Sequence, residues 1–195
     1  MQKRHFIYSG VTILAVIVGV VLGILWSSQT QTERSPYIAQ LDSSIRGLSP
    51  QEIDDLLNGR GAGYARMAEL NSYPGPRHVL DLRQDLHLTV EQTEQIEAAF
   101  VQMQAEAKQV GHKILQHEAQ FSTDFASRTI SEDDIRRQTE ALGQLYGRLR
   151  AVHLQAHLQI TPLLSAEQLA QYNTLRGYST PLEQSPSDHH QHQTH

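Results

Sequence analysis

Hydrophobic and polar positions divide the chain into three kinds of stretch. Residues 6–26 are apolar almost without a break, interrupted only by Tyr8, Ser9, Thr12 and small glycines. A helix of about 20 apolar residues spans a bilayer core, and this run is that long. Two later stretches carry apolar residues at helical spacing instead. One covers 89–126, with Ile96, Phe100, Met103, Ala107, Val110, Ile114 and Phe121. The other covers 131–164, with Ile135, Leu142, Leu145, Leu149, Val152, Ala156, Ile160 and Leu163. Residues 27–47 and 179–195 are polar and read as a spacer and a tail.

Start and stop signals sharpen these elements. Ser49-Pro50-Gln51-Glu52 opens a short helix that runs through Leu56 and Leu57 and stops in the glycines from Gly59 to Gly63. Residues 64–70 read as another short helical piece. Asn71-Ser72-Tyr73-Pro74-Gly75-Pro76 is a strong turn signal, after which Arg77 and His78 open a further helix. Thr89-Val90-Glu91-Gln92 is a capping box for the first long helix, in which Gly111 is a tolerated weak point. Ser131, followed by Glu132, Asp133 and Asp134, caps the second long helix and places acids in its first turn. Thr161-Pro162 should kink or end that helix, and Ser165-Ala166-Glu167-Gln168 is a second capping box for a last helix ending before Gly177. The predicted fold is all-α: a transmembrane helix, then a long antiparallel helical hairpin with short flanking helices.

Lys3 and Arg4 before the apolar run keep the N-terminus in the cytoplasm and send the rest across the membrane. The competing reading is a cleaved signal peptide, but residues 24–28 offer no Ala-x-Ala-like site. The expected organisation is a cytoplasmic segment 1–5, an inner-membrane anchor 6–26, a linker 27–47, a periplasmic domain 48–178 and a tail 179–195. The net charge of −5 over 195 residues gives no sign of a nucleic-acid partner. With no cysteine, thiolate metal sites and disulfides are excluded. No nucleophile–base pair, phosphate loop or catalytic carboxylate pair is present, and the Gly59 to Gly63 segment follows no strand, so an enzyme is not expected.

Histidine changes the picture, with eleven in the chain. His153 and His157 stand four apart, so both imidazoles leave the same side of the helix one turn from each other. That arrangement offers two nitrogens to one divalent zinc, nickel, cobalt or copper ion. The bland alternative is an ordinary boundary pair. In an antiparallel hairpin the two stand level with about residues 101–105, flanking the core stripe. Glu97 is then the candidate carboxylate ligand or hydrogen-bond partner, against a plain His–Glu hydrogen bond. His78 reaches the pair if its segment folds back across the hairpin. His112 and His117 diverge around the helix and read as solvated, and His87 as an ordinary residue before the cap. In the tail, His189, His190, His192 and His195 form a His-rich tract of the kind that captures transition metals. Leu154 and Leu158 add a second apolar strip that a dimer partner, a client or the His78 helix must cover.

Leu88-Thr89-Val90-Glu91-Gln92 and Leu164-Ser165-Ala166-Glu167-Gln168 form an internal repeat, Leu-(Thr/Ser)-x-Glu-Gln, at either end of the hairpin. With the stretch 68–80 and Leu175-Arg176-Gly177-Tyr178, this resembles the periplasmic heavy-metal-sensor and Spy/CpxP-like chaperone superfamily, over about residues 49–178. The resemblance implies a bent hairpin that usually dimerises and a membrane-anchored sensor binding nickel, cobalt or zinc. It further implies signalling through a membrane anti-sigma or sensor-kinase partner, with His78, His153 and His157 where ligands are expected. The other branch of the superfamily implies an ATP-independent chaperone that holds unfolded clients.

Overall fold

The computed structural model describes residues 34–43 and 45–178. The expected anchor at 6–26, the first part of the linker (27–33) and the tail histidines His189, His190, His192 and His195 lie outside the described residues. Residues 34–39 belong to a separate small unit, whose described part leads into a 3-10 turn over Ile38–Gln40. The remainder is helical, with no strand among the described residues. No described helix is long and apolar enough to cross a membrane.

Six α-helices follow in order: α1 Pro50–Asn58, α2 Arg66–Glu69, α3 Pro76–Asp81, α4 Val90–Ser127, α5 Glu132–Ile160 and α6 Ala166–Leu175. The caps read from the sequence form. Ser49, Thr89, Ser131 and Ser165 each accept a hydrogen bond from the backbone N–H three residues on, and the side chain at that position returns one. At Ser131 the returning group is Asp134, held down to about 2 chiefly by hydrogen bonds from Ser131, with Arg137 adding. The expected piece at 64–70 condenses to α2. The second long helix stops at Ile160 rather than running to 164, since Pro162 removes a donor and redirects the chain into a 3-10 turn over Thr161–Leu163.

Helices α4 and α5 run antiparallel. Gln138 donates to Asp124 near their connection, Tyr146 donates to Glu118 further along, and Gln92 donates to the Leu163 carbonyl at the far end. Between and around them lie two apolar cores. The first holds Leu56, Ala107, Val110, Ile114, Leu142, Leu149, Val152 and Ala156, and α1 closes over it. The second holds Val79, Leu86, Ile96, Ile160, Leu164 and Tyr172, where α3 and α6 gather.

Two expectations need correction, and a third is narrowed to a partner or client. Gly111 is not merely tolerated: a Cβ there would overlap the Leu56 carbonyl oxygen, so glycine is what lets α1 lie against α4. Ile135 is exposed, because the first turn of α5 stands clear of the core. Leu158 is 63 % exposed, so the second apolar strip has no cover there among the described residues.

Candidate functional site

The register of α5 creates the site. Val152 and Ala156 face the first core, and Ile160 faces the second. His153 and His157 each follow a core residue and are turned about 100° from it. They face the segment formed by the glycine loop and the Tyr73 to Pro76 turn. The sequence places these histidines at the boundary, but the structure buries them, leaving 2 % of His153 and 7 % of His157 exposed. Periodicity on one helix could not show this, because the cover arrives from residues 59–78.

Each ring is held differently. His157 Nδ1 lies 2.8 Å from the Tyr73 carbonyl oxygen. A carbonyl only accepts, so Nδ1 carries the hydrogen, and in the neutral ring the lone pair is left on Nε2. That nitrogen borders Gly75: a Cβ on Gly75 would stand 3.2 Å from His157 Nε2 and 2.8 Å from Glu69 Oε1. Any side chain at Gly75 would therefore wedge between imidazole and carboxylate. Glu69 is itself fixed, Oε1 accepting from the Gly75 N–H at 3.0 Å and Oε2 from the Tyr172 hydroxyl at 2.8 Å. Burial, with the Glu69 carboxylate beside it, raises the Tyr172 hydroxyl well above its ordinary range, so it stays a donor.

His153 stacks on Tyr64 with ring centroids 5.9 Å apart, and its Nε2 is buried without a hydrogen-bond partner. Burial, aided by His157, lowers this imidazole to about 4, so it is neutral at pH 7. His78 lies half-buried at the rim, its Nδ1 4.0 Å from Asp81. Burial and the nearby Arg176 guanidinium lower its pKa, outweighing Glu69 and Asp81.

These groups border one cavity of about 510 Å³. Thus the structure brings His78, His153 and His157 to a common space, as expected. It does not bring Glu97, which is exposed and borders no part of that cavity. The cavity meets α4 at Phe100, Met103 and Gln104; Glu97 stands two turns from Gln104, about 10 Å along the helix. The carboxylates that border the cavity are Glu69 and Asp81, which sit on α2 and α3 rather than on the facing long helix. Met103 also lines the cavity with its thioether. Among the described residues no three His, Asp or Glu side chains form a ready-made metal cluster. His112 is exposed, with Nδ1 2.7 Å from the Lys108 carbonyl, and His87 adopts a left-handed backbone with φ of 49° before the cap.

No family of known proteins, no curated protein and no solved structure matches the chain.

Proposed function

We propose that this protein is a membrane-anchored, extracytoplasmic regulator that binds a divalent transition metal (zinc, nickel, cobalt or copper) in the α2–α3–α5 cavity. The supporting observation is the buried pair itself: His153 Nε2 without a partner, and His157 with its Nδ1–H held by Tyr73. A second-sphere carbonyl that fixes the tautomer and leaves the other nitrogen basic is the usual support of a metal-bound imidazole. Glu69 supplies an anionic oxygen beside His157, and His78 a third nitrogen after a rotation at the rim. Because His153 is neutral at pH 7, the metal displaces no proton there.

Ligands on α2, α3 and α5 would tie the Tyr73 to Pro76 turn to the long helix. A cation bound more tightly in that arrangement shifts the population toward it, and an anti-sigma or sensor-kinase partner, or a second copy, reads the change. The resemblance to the metal-sensor branch carries the same reading.

The test is calorimetric titration of the full chain in detergent micelles with zinc, nickel, cobalt and copper. Both forms compared carry alanine at His189, His190, His192 and His195, so that the tail does not contribute. Binding at micromolar or tighter that is lost in His153→Ala/His157→Ala supports the proposal. Equal binding in both forms overturns it.

A second reading, an ATP-independent chaperone for unfolded clients, draws on the opposite end of the helices. There Phe121, Phe125, Ala126 and Gly47 line an open groove of about 420 Å³, and Phe125 is 53 % exposed. Suppression of client aggregation that persists in the double histidine variant would favour it.

A further inference from the structure

Resting on the metal-binding reading, we propose that the cavity takes its cation together with a small organic carboxylate, held at one end by the metal and at the other by Arg66. Three observations carry this. The first is size. At about 510 Å³ the cavity lies within the range of about 300–1,000 Å³ that holds small organic ligands. A water molecule's share of volume is about 30 Å³, so a lone hydrated ion would fill only one corner.

Charge is the second. A metal-bound imidazole is neutral, so His78, His153 and His157 bring no negative charge to a dication. Glu69 and Asp81 each bring one, but both Glu69 oxygens already accept hydrogen bonds from Gly75 and Tyr172, and Asp81 is paired with Arg77. A bound dication therefore leaves positive charge uncompensated in a half-enclosed space, where Coulomb energies are larger than in water.

The third observation is the arginines. Arg60, Arg66 and Arg77 all border the cavity. Arg60 pairs with Asp54 and Asp55, and Arg77 with Asp81. Arg66 makes no ion pair among the described residues, and its guanidinium is packed over Gly63, where a Cβ would stand 3.0 Å from the terminal nitrogen. The cavity thus combines nitrogen donors on one wall with an unpaired, planar carboxylate receptor on another. Between them Ala65, Leu70 and Phe100 offer apolar surface to a carbon skeleton. A di- or tricarboxylate, or an amino acid, chelates the metal through the positions the histidines leave open and reaches Arg66 with its remaining carboxylate.

Equilibrium dialysis of the full chain in detergent micelles tests this, with radiolabelled citrate as the organic anion and nickel chloride as the cation. Citrate should be retained by the protein only when nickel is present, and only with His153 and His157 intact. Arg66→Ala should weaken citrate retention at least tenfold and nickel binding without citrate less than twofold. Nickel retained while citrate passes freely overturns the co-ligand and leaves the metal site standing, as does citrate retention unchanged in Arg66→Ala. Citrate retained equally without nickel overturns the shared chelate. Failure to retain nickel with or without citrate overturns the metal reading and this inference together.

Discussion

The two apolar cores are closed by different means. Around the first core closure is by shape: α1 lies against α4 at Gly111, and the Gly59 backbone approaches so closely that a Cβ there would stand 2.8 Å from the Gln104 carbonyl. Around the second, closure is by polar groups. Gln92 and Gln168 each donate to the other's side-chain oxygen, at 2.9 and 3.0 Å, and spend their remaining N–H groups on the Leu163 and Leu86 carbonyls. Gln171 adds a bond to the Asp85 carbonyl, and Tyr172 reaches Glu69. The histidine pair stands where the two regimes meet. Its residues are placed by the shape-closed core through Val152 and Ala156, and His157 is oriented by the Tyr73 carbonyl. On the proposed reading, a cation bound at such a seam would bear on both halves at once.

The largest effect is expected from breaking the shape-closed half. In Gly111→Ala the new methyl meets backbone, not a side chain that could rotate away, so the helix-propensity gain of up to about 1 kcal/mol is overwhelmed. Overpacking typically costs about 1–3 kcal/mol, and contact with unyielding backbone puts this case at the upper end. Hydrogen exchange should show α1 and the middle of α4 losing protection while α6 keeps its own. Uniform loss across both halves would mean that the cores are not separable in this way.

Acid comes next, acting on the seam. In the metal-free chain His153 sits at about 4, against an unfolded value near 6.5, so the unfolded state binds the extra proton. Its contribution is complete above about pH 6.5 and is lost as pH falls toward 4, on the order of 3 kcal/mol in all. Denaturant melts from pH 7 to pH 4 should show this slope, and His153→Phe should flatten it. An unchanged slope in the variant would place the acid sensitivity elsewhere.

How much of this was legible beforehand depended on whether the cause was local. Caps, the Pro162 stop and the helical stripes come from neighbours in sequence, and Ser49, Thr89, Ser131 and Ser165 all cap as their spacing predicts. The three histidines were identifiable because two share a helix face and the third follows a Pro-Gly-Pro turn that folds its segment back. Glu69 was not, because it lies on α2, far in sequence from the histidine helix, and the cavity is closed by α2 and α3. Gly111 was underrated for the same reason: the demand comes from Leu56, which lies on a different helix. The repeat at Leu88 to Gln92 and Leu164 to Gln168 was visible as two capping boxes, but not that its glutamines would bond to each other.

A smaller effect should follow from cutting the polar-closed half. Gln168→Ala removes donors to Leu86 and Gln92 and leaves half-buried acceptors unpaired, at about 1–3 kcal/mol. Since Gln92 is in direct contact, the double Gln92→Ala/Gln168→Ala variant should lose less than the sum of the single losses, with a coupling of about 0.5–3 kcal/mol. Strict additivity would show that the reciprocal pair is not a unit.

The smallest effect concerns the end of α4 and α5 nearest their connection, away from both the Gly111 contact and the Gln92–Gln168 pair. Phe125 is half exposed and touches Phe121 at 5.1 Å between ring centroids, so Phe125→Ser forfeits one tilted aromatic contact and a partly wet surface. The expected loss is about 0.5–1 kcal/mol, with metal titration unchanged because the cavity lies well along the helices toward their other end. This variant complements the double histidine variant in separating the two functional readings. If the groove around Phe125 holds unfolded clients, suppression of client aggregation should fall while stability and metal binding barely move. If the protein works only through its metal, all three measurements should stay near their original values, and the exposed aromatic pair would have no part in client binding.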